Sequence, residues 1–307
     1  MQIGISMPLR WLVFVLFTFG GYDAALADAQ GDCLDQTGGA AIKACTEVLR
    51  TNPNDVRAYI NRGVHFDRIG DYDRAIADET MAIALNPNVG AAYATRGHAY
   101  FSKDDFKNAI ADATTAISLD PKPVNSYSMR AAAYLKTGDA TRAIADATKA
   151  MEGGAKSATN YSVRAAAYVL QGEGDRAISD ATQSIAIDPS DVMPHLFRAG
   201  GHLNKGDFAA VIADTTKALA MDPKLTEAYG MRAEAYLRSG KLTESLQDVD
   251  KSLVLEPGDP DTWHLHGTVL EKLGRRDAAI TDFRRALAIN PAHQGSKDEL
   301  MRLGVSQ

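Results

Sequence analysis

Residues 96–121 read "RGHAYFSKDDFKNAIADATTAISLDP", a stretch too apolar for a loop that still carries Arg96 and Asp112 inside its most apolar parts. The same words come before it at 62–87, "RGVHFDRIGDYDRAIADETMAIALNP", and after it at 130–155, "RAAAYLKTGDATRAIADATKAMEGGA". Prolines keep time with them. Pro53, Pro87, Pro121, Pro189, Pro223, Pro257 and Pro291 each stand a multiple of 34 residues from the first, and the one empty slot holds Ala155. A fixed period of this length marks stacked supersecondary units. Seven full repeats result, at 56–89, 90–123, 124–157, 158–191, 192–225, 226–259 and 260–293.

Each repeat reads as two helices. The first has a ring or similar residue at its fourth place (Tyr59, Tyr93, Tyr127, Tyr161, His195, Tyr229, Trp263) and a small residue four places on (Gly63, Gly97, Ala131, Ala165, Ala199, Ala233, Gly267). Places four apart share a helix face, so a large ring beside a small residue lets a second helix approach closely. Gly70, Gly138, Gly172, Gly206, Gly240 and Gly274 stand where a C-cap glycine ends the first helix. A second apolar stripe then opens with words such as "AIAD", and Asp or Asn before proline closes the repeat.

These residues resemble the tetratricopeptide repeat over 56–293. The resemblance implies an all-α fold, a right-handed superhelical solenoid of stacked helix-turn-helix repeats. Two departures stand out. The family's leucine at the seventh place is here Arg62, Arg96, Arg130, Arg164, Arg198 and Arg232, with His266 last, and the large residue late in the second helix survives only as Phe283.

Sixteen residues after each arginine comes an aspartate: Asp78, Asp112, Asp146, Asp180, Asp214 and Asp248, with Asp282 after His266. A catalytic group occurs once or twice in a chain, whereas a lattice contact occurs in every repeat. These charges are therefore expected to form a partly buried structural ladder of bidentate pairs. Arg130 pairs with Asp146 if contact is made within a repeat, and with Asp112 if it is made with the preceding one.

The second, fifth, ninth and twelfth places of the first helices form a stripe at helical spacing. In a tetratricopeptide solenoid that stripe lines the concave groove. Its expected partner-binding residues are Ile60, Val64, Ala94, His98, Phe101, Ser128, Ala132, Leu135, Ser162, Ala166, Val169, Leu196 and Leu203, an apolar middle that turns acidic at Glu227, Glu234, Asp261 and Glu271. The lysines and asparagines with which family members hold a chaperone's C-terminal carboxylate do not appear on this stripe in the required pattern. The expected partner is another protein, presenting an extended peptide or an amphipathic helix.

The N-terminus has its own grammar. "MQIGISMPLR" ends in Arg10, "WLVFVLFTFGG" is an apolar run of signal-peptide length, and "ALADAQ" spaces small residues as A-x-A. A cleavable secretory signal over 1–27 is expected, with Ala29 as the second cleavage choice. Membrane attachment follows only if the signal is retained. The resulting expectation is an exported protein of bacterial type, periplasmic or secreted. Cys33 and Cys45 are the only cysteines, and in an oxidising compartment a bridge is expected across the helical hairpin "CLDQTGGAAIKAC". Residues 28–55 then make an N-terminal half repeat with that bridge, and 294–307 a C-terminal capping helix.

Composition narrows function. The chain has 307 residues, of which 45% are hydrophobic and 23% charged, with a net charge of −6 and no basic run to track a phosphate backbone. Nucleic acid is not an expected partner. Repeats consume the mature chain, and no phosphate loop, nucleophile motif or zinc-protease motif is present. The expectation is a non-catalytic scaffold with no cofactor, no metal and no small-molecule substrate. The alternative is a structural or envelope-assembly component acting as a spacer or oligomerising through its ends. The missing proline at Ala155, beside Gly153 and Gly154, raises the expectation of a shortened helix and a deformable junction there; a tight glycine cap is the other reading.

Overall fold

The computed structural model describes residues 33, 38–120 and 122–305. The expected signal peptide and both cleavage sites lie outside these residues. Sixteen helices, and no strand, occur among the described residues. The chain divides into two compact units, Met1–Ala167 and Tyr168–Gln307.

In the first unit a lead helix, Gly39–Thr51, is followed by the helix pairs Val56–Arg68 with Tyr72–Leu85, Gly90–Ser102 with Phe106–Leu119, and Val124–Lys136 with Ala140–Glu152. The second unit contains Gly174–Ile187, then the pairs Met193–Lys205 with Phe208–Met221, Thr226–Arg238 with Leu242–Leu255, and Pro260–Lys272 with Arg276–Ile289, and finally Gln294–Arg302. The division falls inside the helix Ala158–Leu170. Within each unit the architecture is an all-helical repeat in which every element touches mainly its chain neighbours.

Local chemistry sets the boundaries. Asp71, Asp105, Asp139 and Asp207 cap second helices, each side chain accepting from the backbone N–H three residues on. The turn before each second helix needs a left-handed residue, supplied by glycines such as Gly70 at φ 80° and Gly138 at φ 79°. The second repeat has no glycine there and uses Asp104 at φ 59°, the conformation that Asn and Asp tolerate best after glycine. At the repeat ends the Asp or Asn side chain accepts from the N–H two residues on, as at Asn86, Asp188, Asp222 and Asn290. That Asx turn is why Asp or Asn stands before proline.

The third repeat closes differently, and less is lost than its sequence suggests. Its second helix ends at Glu152, and the next begins at Ala158, thirty-four residues after Val124. Gly154, at φ 106°, donates to the Met151 carbonyl at 3.1 Å, and Ala155 donates to the Ala150 carbonyl at 3.0 Å. Asn160 Nδ2 then donates to the Ala155 carbonyl at 2.8 Å. A Cβ on Gly153 would lie 2.6 Å from Val124 Cγ2. The junction is a hydrogen-bonded glycine cap that keeps the repeat register.

The missing large residues are replaced from elsewhere. In the last repeat Phe283 fills the core against Gly267, where a Cβ would come within 2.7 Å of the ring. In the second repeat the same place holds only Ala113, and the Met129 side chain of the next repeat reaches Gly97 instead. The first repeat puts Glu79 there, fully buried against Gly63.

Candidate functional site

The recurring charges form a ladder. Within a repeat, Arg62 Nε and Nη2 donate to the two carboxylate oxygens of Asp78 at 2.7 and 2.8 Å. Arg96 meets Asp112 at 2.7 and 2.9 Å, and Arg130 meets Asp146 at 2.6 and 2.9 Å. In the second unit Arg198 meets Asp214 at 2.9 and 2.6 Å, and Arg232 meets Asp248 at 2.7 and 2.8 Å. The hydrogen bond to the aspartate is the largest influence raising the pKa of Arg62, Arg96, Arg198 and Arg232. Arg164 and Asp180 stand on either side of the division between the units.

A third arm, absent from the sequence reading, joins each arginine to the preceding repeat. Nη1 donates to the hydroxyl sixteen residues earlier: Arg62 to Thr46, Arg96 to Thr80, Arg130 to Thr114, Arg164 to Thr148, Arg198 to Thr182 and Arg232 to Thr216, at 2.9–3.4 Å. The guanidinium also lies over two rings, as Arg130 does over Tyr127 at 5.6 Å and Tyr134 at 5.8 Å. Those threonines recur at the same 34-residue period, which was the signal that could have revealed them. Where His266 replaces arginine, Asp250 replaces threonine, and the ring bridges Asp282 at 2.7 Å and Asp250 at 3.2 Å. The charges are consumed in holding repeats together.

The stripe on the first helices is more covered than a lining would be. Ile60, Phe101, Ser128, Ala132, Leu135, Ser162, Ala166 and Leu196 are buried, and Val64, Ala94, His98, Val169 and Leu203 are half-buried. The second helix of the same repeat and the next first helix cover them: Ile60 packs with Ala82 and Ala92, and Leu196 with Ala218 and Ala228. Phe101 is set edge-on to Phe106, with ring centroids 5.5 Å apart. The part of the stripe that meets solvent is therefore its half-buried set.

The charged groups on this face are mostly paired within the chain. Asp67 Oδ1 lies 2.8 Å from His98 Nδ1. At the acidic end, Glu234 meets Arg238 at 2.7 Å, Glu271 pairs with Arg302, and Asp261 meets His293 at 2.9 Å. Burial raises the pKa of Glu227, with Glu256 and Asp222 adding to it. Behind the face, burial pushes the Glu79 carboxyl well above the usual range, with Asp78 and Asp67 adding to it, and neither of its oxygens has a protein hydrogen-bond partner.

Cys33 and Cys45 lie at disulfide distance, with 2.00 Å between sulfurs, tying Cys33 to the buried side of the lead helix. Among the described residues no three His, Cys, Asp or Glu side chains are gathered to hold a metal ion. No helix among them is long and apolar enough to cross a membrane.

Stacked helix pairs with a cross-linked interior define a helical repeat protein. Two family models, both described as tetratricopeptide repeat, match this chain, one at residues 39–89 and the other at 90–123 and 260–293. The chain thus carries tetratricopeptide repeats. No curated protein matches it. Among solved structures it is similar to the APC/C hetero-tetramer Cut9–Hcn1, with a TM-score of 0.67 and 17% identity over 85% of this chain and 52% of that one. It thus spans about half the length of that relative. A tetratricopeptide repeat protein from Parabacteroides merdae gives 0.62 and 18%, over 80% of this chain and 97% of that one. The type IV pilus biogenesis factor PilW gives 0.60 and 19%, over 69% and 98%. At these identities the likeness is one of fold.

Proposed function

We propose that the chain is an exported, non-catalytic scaffold that holds an extended peptide or an amphipathic helix of another protein on the face that the first helices form within each unit. The observation that carries this reading is the chemistry of that face. Its charges are mostly satisfied within the chain, which leaves half-buried small and apolar groups, Val64 and Ala94 in the first unit and Val169 and Leu203 in the second, as the contact surface. Such a surface favours apolar side chains at alternate or helical spacing over a charged ligand. Export is supported by the Cys33–Cys45 pair, since disulfides persist in oxidising compartments.

A photocrosslinking residue at Ala94 or Leu203 tests this reading against one at the exposed Ala145 or Ala213 of the second helices. Adducts are expected from the first two positions and not from the last two, and Val64→Glu should abolish the adduct at Ala94. Adducts confined to the chain ends, unaffected by Val64→Glu, would instead favour a spacer or an assembly component joined end to end. The sequence stripe also included Phe101 and Leu135, but both are buried, so a charge there would unfold the repeat rather than probe binding.

A further inference from the structure

The last repeat ends on an apolar surface, and what covers it is held by an unusual polar cluster. Leu300 of the C-terminal helix is fully buried against Leu270, Ala279 and Phe283, and Leu303 and Val305 pack on the same cluster. This helix has only nine residues, Gln294–Arg302, so its own propensity contributes little and its attachment decides whether it stays.

Beside the Arg302–Glu271 ion pair and the Arg276 bond to the Leu303 carbonyl, the N-terminal end of this helix is attached through one serine. His293 is the N-cap: its Nδ1 accepts from the Ser296 backbone N–H at 3.1 Å and lies 2.9 Å from Ser296 Oγ. On its other side, Nε2 of His293 is 2.9 Å from Asp261 Oδ1, on the first helix of the last repeat. His264 of that same helix places Nδ1 3.2 Å from the same Ser296 Oγ, with the two imidazole centroids 5.2 Å apart. Ser296 has no exposed surface.

The donors and acceptors match when both imidazoles are neutral. Ser296 supplies one N–H and one O–H, and each Nδ1 accepts one of them. A proton on His293 Nδ1 would set an N–H against the Ser296 N–H and remove the cap. A proton on His264 would place a cation beside His293 in a half-buried position.

We infer that His264, His293, Asp261 and Ser296 form an acid-sensitive latch, which fastens residues 294–305 over the apolar end of the last repeat and releases them when both imidazoles are protonated. The latch sits on one helix of the repeat and one of the cap, so its release uncovers Leu270 and Phe283 without disturbing the Arg–Asp ladder. The groups facing His264 are Glu234, Asp261 and Glu299, which favour its protonation, and His293, which opposes it. For His264 burial outweighs the carboxylates, and with His293 it holds the ring below its ordinary value of 6.5. A depressed histidine contributes stability that is present above its unfolded pKa and lost as pH falls through the folded one.

Hydrogen exchange on the full chain tests this, read as protection factors so that the intrinsic pH dependence divides out. Between about pH 7.5 and about pH 5, protection of residues 294–305 should fall roughly tenfold or more while residues 226–255 keep theirs. In the double variant His264→Gln with His293→Asn, where asparagine still caps the helix, protection of 294–305 should be equal at both values. His264→Gln alone keeps the native cap and should show a smaller acid response than the native chain. An unchanged acid response in either variant, or a loss of protection spread evenly over all helices, would overturn the latch.

Discussion

The ladder makes the most exacting prediction, because each rung is triply tied. Arg130 donates twice to Asp146 and once, at 2.9 Å, to Thr114 of the preceding repeat, and it lies over two tyrosine rings. The side chain of Asp146 is only 9% exposed, and that of Arg130 is 15% exposed. Arg130→Met leaves a buried carboxylate without its partner, a loss of about 3–5 kcal/mol for buried pairs, and the slight exposure of the rung argues for the lower figure. Asp146→Leu strands the more exposed arginine and should cost about 2 kcal/mol. The double variant removes both charges together and should cost about 2–3 kcal/mol, so the two changes couple by about 2–3 kcal/mol. Repeat proteins open locally, so native-state hydrogen exchange of residues 106–152 is the appropriate assay, in place of a single global melt. Additivity within about 0.5 kcal/mol would refute the pairing as an energetic unit. Thr114→Val should cost about 1 kcal/mol and loosen the contact between the second and third repeats, leaving the pair itself intact.

Glu79 offers a test of opposite sign. Its folded pKa is raised, so its contribution is fully present below the unfolded value of 4.5 and is lost as pH rises through the folded one. The first repeats should therefore withstand urea better at about pH 4 than at about pH 8, and Glu79→Met should remove that difference and add about 2 kcal/mol at the higher pH. A native chain equally stable at both values would contradict the buried acid. For the cysteines, protein denatured without reductant should show no free thiol; two titratable thiols would show that the bridge is not formed. Reduction should loosen the lead helix by roughly 3 kcal/mol and leave most of the helical signal, since stability in a stack is largely nearest-neighbour.

The period, the helix-turn-helix unit and the recurrence of Arg and Asp were all legible along the chain, because a stacked repeat writes its contacts at one spacing. The sequence could not say which aspartate each arginine takes. Asp112 and Asp146 both stand sixteen or more residues from Arg130, and the choice falls to Asp146 because the second helix folds back on the first of its own repeat. Burial was illegible for a related reason. Helical spacing places Ile60, Ala132, Leu135 and Leu196 on one stripe, but only the packing of neighbouring helices decides that they are covered while Val64, Ala94 and Leu203 stay half-buried. The fate of the acidic end of that stripe was equally illegible residue by residue. Tertiary structure brings His293 to Asp261 and Arg302 to Glu271 from more than thirty residues away, and the charge is spent on fastening the C-terminal helix.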